Sequence, residues 1–198
     1  MTRESDRGGR RAATSRADSD LLARFCGGDP DAFTQVYRMQ QAAVFRFARL
    51  MTGDAAKAAE VTQDVFVWLI HHAAEFDPAR GELSAFLIGV TRKFLLRRRD
   101  NEMRWVPLNE DSLAAHDEPD EYEGDSDTEA LRRAIAALPL KYREVVVLCD
   151  LEGKSYDESA AVAGCAVGTV RSRLHRARAL LARKLELKAG RKVERCSV

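Results

Sequence analysis

Between Gly168 and Arg178 the chain reads Gly-Thr-Val-Arg-Ser-Arg-Leu-His-Arg-Ala-Arg, with four arginines and one histidine in eleven residues. Planar guanidinium forks match guanine edges in the major groove and also grip phosphate oxygens, so this run has the side chains for both base reading and backbone anchoring on DNA. Wound as a helix, it places Val170, Leu174, Ala177 and Leu181 in one narrow arc that packs inward. Arg171, Ser172, Arg173, His175, Arg176 and Arg178 are thereby forced around the exposed side. The bland alternative is a solvated basic helix. A second basic run, Arg92, Lys93, Arg97, Arg98 and Arg99, falls at the end of another helical segment. It has the charge to draw a phosphate backbone, against the alternative of a solvated helix end favoured by the helix dipole. Phe76, in the loop expected over 73–82, offers a stacking face to an unpaired base.

Other chemistries are not provided for. No Ser/His/Asp nucleophile setting, Gly-rich phosphate loop or metal-ligand spacing occurs, so no catalytic residue, metal or cofactor is expected. His71 and His72 are adjacent and point in different directions from a helix, and His71 with Glu75 reads as a surface pair. Cys26, Cys149, Cys165 and Cys196 lie far apart without a Cys-x-x-Cys pair. Neither a disulfide framework nor a zinc clip is indicated, and reduced thiols are expected. Cys149 and Cys165 fall on or beside apolar helix faces, where a buried thiol is inert.

Helices must position these groups. With 45% apolar and 32% charged residues in 198, but only 12 Gly and 5 Pro, the composition favours long helices over a many-stranded sheet. The expected class is all-α, with two small helical domains joined by a flexible acidic linker and a helix-turn-helix in the second. Residues 1–19, rich in Arg, Ser, Gly and Asp, read as a disordered basic tail. Over 20–100 the apolar residues recur at helical spacing: Leu21, Leu22 and Phe25, then Phe33, Val36 and Tyr37, then Val44, Phe47 and Ala48. A third helix carries Val61, Val65, Phe66, Leu69 and Ile70 on one stripe, and a fourth carries Leu83, Phe86, Leu87, Val90 and Phe94.

From 101 to 129 eleven acids face a single base, Arg104, so residues 101–127 read as an extended, self-repelling linker. The net charge of +1 hides this segregation. Helical periodicity returns over 128–187, with Leu131, Ile135 and Leu138 on one face and Tyr142, Val145, Val146 and Leu148 next; 188–198 reads as a flexible tail. Gly153 closes a helix ending near Leu151, and Ser155 with Glu158 fits a capping box that starts a helix at Tyr156. That helix should stop at Gly164, and the basic helix should run from Gly168. No apolar run approaches the roughly 20 residues that span a bilayer, and the basic N-terminus lacks the apolar stretch of a signal peptide, which predicts a cytoplasmic protein without membrane insertion.

Over roughly 20–185 the sequence resembles the extracytoplasmic-function sigma factors of bacterial RNA polymerase. In the second half the resemblance rests on Leu138-Pro139, Tyr142 to Val145, Glu158 with Ala160, and Gly168 to Arg173 followed by Arg176-Ala177-Arg178. In the first half it rests on Ala59-Glu60, Gln63, Val65-Phe66, Phe86-Leu87 and Val90 to Leu96. The resemblance implies a chain that joins core RNA polymerase, directs it to promoter DNA and answers to an anti-sigma factor. It implies polymerase contacts at Glu60, Gln63 and Asp64, minus-ten contacts at Arg92, Lys93, Arg97 and Arg98, and minus-thirty-five contacts at Thr169, Arg171, Ser172, Arg173, His175, Arg176 and Arg178. Three positions depart from the family pattern: Ala166 replaces a Ser that caps the recognition helix, Lys93 replaces an Asn, and Phe86 replaces a Trp.

The alternative is a conventional helix-turn-helix regulator that does not join polymerase as a subunit. That reading needs a receiver or ligand-binding domain, whereas the N-terminal half has no alternating strands and helices, and it leaves the run from Arg92 to Arg99 without a role.

Overall fold

The computed structural model describes the backbone of residues 18–105 and 127–195 and the side chains of 18–100 and 130–185. Residues 1–17, 106–126 and 196–198, which include most of the expected N-terminal tail, most of the acidic stretch and Cys196, lie outside the described residues, whereas the backbones of 101–105 and 188–195, expected as linker and flexible tail, are helical. Every regular element among the described residues is helical, with no strand. In chain order these are α1 (18–26), α2 (Pro30–Thr52), α3 (Ala55–His72), α4 (Leu83–Trp105), α5 (Asp127–Ala136), α6 (Leu140–Val146), α7 (Tyr156–Ala163) and α8 (Val167–Arg195). They group into two compact units, one of 1–48 with 56–100 and one of 49–55 with 101–198.

In the first unit the sharp corner between α1 and α2 is written locally. Gly28 takes φ 88°, a left-handed conformation that ends α1 without steric cost. Asp29 then caps α2, its carboxylate accepting from the Asp31 and Ala32 N–H groups at 3.0 and 3.3 Å, with Pro30 at the first helical position. Arg24 grips the other oxygen at 2.7 Å and holds the Asp29 carboxyl below the usual carboxylate range. The core is formed by Leu21, Leu22, Val36, Val44, Val61, Val65, Phe66, Leu69, Leu83, Leu87 and Val90, each contributing on the order of 1.5–3 kcal/mol on full burial. Asp18, which composition places in the flexible tail, is buried and accepts from the Leu83 N–H at 3.2 Å, covering an orphan donor at the start of α4. Two stripe residues differ from expectation: Ile70 is 47% exposed and Tyr37 is 38% exposed. Ile70 lies on the Gln63–Val67 side of the helical wheel, beyond the arc that the neighbouring helices cover.

The second unit packs α5 to α8 around Ile135, Leu138, Val145, Val146, Leu148, Ala160, Ala163, Val170, Leu174 and Ala177. Leu131, expected on the inner face, is 37% exposed. Arg143 closes the turn between α5 and α6 by donating to the Ala136 and Leu138 carbonyls, which the end of α5 leaves without helical partners. Burial lowers its pKa. After Val146 the chain widens into one π turn, Val147–Leu151, in which the Glu152 N–H reaches back to Val147 O at 2.9 Å. Gly153, at φ 65°, turns the chain into α7.

Candidate nucleic-acid interface

The capping box forms as the sequence predicts: the Ser155 hydroxyl accepts from the Glu158 N–H at 3.2 Å, and the Glu158 carboxylate accepts from the Ser155 N–H at 2.8 Å. Helix α7 is thereby started at a fixed point. It ends at Gly164 (φ 64°, ψ 40°), where the Cys165 N–H bonds back to Ala160 O at 3.1 Å. Two residues later α8 begins at Val167, one residue before the expected start, with Ala166 O accepting from Thr169 and Val170. Ala166 has no side-chain oxygen for the first N–H groups of α8, a loss of about 1 kcal/mol against a serine cap.

Helix α8 is held to the unit by Val170, Leu174, Ala177 and Leu181, all buried as their arc predicts. The polar residues divide into three groups around the wheel. On one flank, Arg171 lies over the Tyr156 ring, 5.7 Å from its centroid, and Arg178 grips Asp150 in a fork, Nη2 to Oδ1 at 2.5 Å and Nε to Oδ2 at 3.1 Å. That carboxylate raises the Arg178 pKa. On the other flank, Arg173 donates toward Cys165 Sγ at 3.8 Å. Between the flanks, His175 and Arg176 point to solvent, beside Ser172, whose hydroxyl donates to Thr169 O at 3.0 Å. The outward centre thus carries one guanidinium, an imidazole and a hydroxyl, and the flanking arginines are steadied by an aromatic face and a carboxylate. Such a surface can enter a major groove, with Arg176 at base edges and its neighbours at phosphates.

In the first unit Lys93, Arg97 and Arg99 of α4 are exposed, while Arg92 and Arg98 are half-buried. Arg98 turns toward α3, with Nη1 on Glu60 Oε2 and Nη2 on Asp64 Oδ2, each at 2.7 Å. The structure therefore brings together residues that the sequence assigns to two different jobs. On α3, Glu60, Gln63, Asp64, Val67, Ile70 and His71 share an arc of about 120° opposite the buried face. Val67 is 58% exposed. Val67 and Ile70 add an apolar strip; sequence reasoning passed over Val67 and put Ile70 on the core stripe, although both share the helical phase of Glu60 and Gln63.

Phe76 packs edge-on against Phe86, centroids 5.6 Å apart, at the rim of the core, with Trp68 also beside Phe86 and stacked on His72. The His71 and His72 rings stand perpendicular, and His72 Nδ1 pairs with Trp68 O at 2.8 Å. Among the described residues no group of three metal-ligating side chains converges. Cys149 sits 3.2 Å from the Ser159 hydroxyl, and desolvation leads the causes that push its thiol pKa up. No described helix is long and apolar enough to cross a membrane.

Comparison with known proteins identifies both units. Residues 36–104 match the Sigma-70 region 2 family and residues 128–181 match Sigma-70 region 4. The chain is 34% identical over 174 residues to the ECF RNA polymerase sigma factor SigM of Mycobacterium tuberculosis, covering 86% of this chain and 85% of that one. It is 34% identical over 153 residues to SigE of Mycolicibacterium smegmatis, covering 74% of this chain but 59% of that protein. Among solved structures, the sigma factor RpoE in complex with the anti-sigma factor NepR from Bartonella quintana aligns with a TM-score of 0.67 at 27% identity, over 78% of this chain and 96% of that one. CnrH in complex with the cytosolic domain of CnrY aligns at 0.63 and 27%, over 86% and 98%. With its two helical units matching these two regions in order, the chain belongs to the ECF family of RNA polymerase sigma factors.

Proposed function

We propose that the chain joins core RNA polymerase through the outward face of α3 and directs it to promoters through α4 and α8. The carrying observation is the braced α7–turn–α8 unit, whose recognition helix holds buried Val170 and Leu174 on one side and presents Ser172, His175 and Arg176 on the other. In this reading residues 20–100 meet the clamp and the minus-ten element, 101–127 tether, and 128–187 meet the minus-thirty-five element. Thr169, Arg171, Ser172, Arg173, His175, Arg176 and Arg178 face DNA in the second unit, and Arg92, Lys93 and Arg97 do so in the first. Glu60, Gln63 and Asp64 face polymerase. The chain supplies contacts and no catalysis of its own, and polymerase carries the chemistry. The protein works in the cytoplasm under an anti-sigma factor; the complex of its structural relative RpoE with the anti-sigma factor NepR supports the second part of this reading.

The decisive experiment is in vitro transcription with purified core polymerase on a pool of promoter fragments, with and without the chain. Transcripts from a defined subset only when the chain is present are the expected result. If no template gives chain-dependent RNA and no stable complex with core forms, the proposal is wrong, even if the second unit binds duplex DNA.

A further inference from the structure

Arg98 stands in the basic run of α4, yet its guanidinium lies on α3. Each prong takes one oxygen of a different carboxylate, Glu60 Oε2 and Asp64 Oδ2, both at 2.7 Å. We infer that Arg98 is a positioning residue for the polymerase-facing surface of α3, holding Glu60 and Asp64 in one arrangement, and not a contact to DNA. The inference rests on the docking proposal above and deepens it.

Three observations carry it. Glu60 and Asp64 are one helical turn apart, so their like charges repel unless a cation lies between them, and Arg98 is that cation. Their side chains are 63% and 43% exposed, and Arg98 uses only one oxygen of each, so Glu60 Oε1 and Asp64 Oδ1 are left to N–H or cationic groups of a partner. For Arg98 to reach a phosphate instead, both charge-assisted bonds must break, which would leave two uncompensated carboxylates beside a polyanion. Lys93 and Arg97, exposed on the same helix, serve DNA without that cost. The fork also restrains two side chains before docking, so less conformational freedom is lost when the partner arrives. Exposed ion pairs add little to folding stability, so loss of the fork should leave the unit folded.

The test is DNA-free binding of the full chain to purified core polymerase. Arg98→Ala should weaken binding about tenfold and Arg98→Lys, which can keep one of the two bonds, by less. In the Glu60→Ala/Asp64→Ala background Arg98→Ala should add less than about twofold, because the groups it acts through are gone. With saturating core, the salt dependence of promoter binding should be unchanged by Arg98→Ala, while Arg97→Ala should flatten its slope by about one. Circular dichroism melts coincident with wild type establish that the variants are folded. Full core affinity in Arg98→Ala, losses that simply add in the triple variant, or a flattened salt slope would each overturn the inference. Gln63→Ala separates it from the docking proposal: if neither Gln63→Ala nor Glu60→Ala/Asp64→Ala weakens core binding, both fall. If those weaken it and Arg98→Ala does not, only this inference falls.

Discussion

Arg171 and Arg176 are 500° apart around α8, which places them on different sides of its exposed surface. Arg176 points outward, whereas Arg171 is steadied over the Tyr156 ring. Replacing both with Ala should cost about 1 to 3 kcal/mol of promoter affinity for each that makes a bidentate base contact. Titration of labelled promoter DNA with holoenzyme at fixed salt checks this, and unchanged selectivity in the double variant would reject the assignment. At this scale the sequence was a partial guide. Residue type and helical phase marked every basic side chain outside the buried arc, but they carried no information on partners. That Arg178 meets Asp150, 28 positions earlier in the chain, and Arg98 meets Glu60, 38 positions earlier, depends on helix packing. A one-dimensional pattern does not contain that packing.

Elements were more legible. The start of α7 was readable from Ser155 and Glu158 and its end from Gly164, because a capping box and a left-handed glycine act within four residues of chain. Ser155→Ala should lower the stability of the second unit by about 1 kcal/mol, seen as a lower melting temperature. Promoter binding of the folded variant should fall little, since α7 braces the recognition helix and does not itself face DNA in our proposal. The π turn at Val147–Leu151 was not legible. Its sequence, Val-Leu-Cys-Asp-Leu, suits an α-helix equally well, and only tertiary contacts select the wider turn. Asp18 was missed for a related reason: its partner, the Leu83 N–H, lies 65 residues away, and a polar N-terminal segment gives no sign of it.

The two units carry separate duties in our proposal, and variants should therefore separate them. Glu60→Ala with Gln63→Ala should reduce recovery of core polymerase in a pull-down and thereby all chain-dependent transcription. Arg171→Ala with Arg176→Ala should leave the pull-down intact and weaken promoter choice. Loss of both activities in both variants would argue against divided labour. The division itself was legible, because the acids from Glu102 to Glu129 interrupt two apolar periodicities.

The corner at Gly164 has one more implication. No heavy atom lies within 4 Å of where a β-carbon would be, so bulk is not what excludes other residues there; handedness is. An L-alanine would be forced into dihedral angles it rarely adopts, whereas its mirror image, D-alanine, would find them comfortable and the space empty. Introduced by chemical ligation, the D-residue would narrow the freedom of the unfolded chain and make the junction sturdier than nature's own, by about 0.4 to 1 kcal/mol.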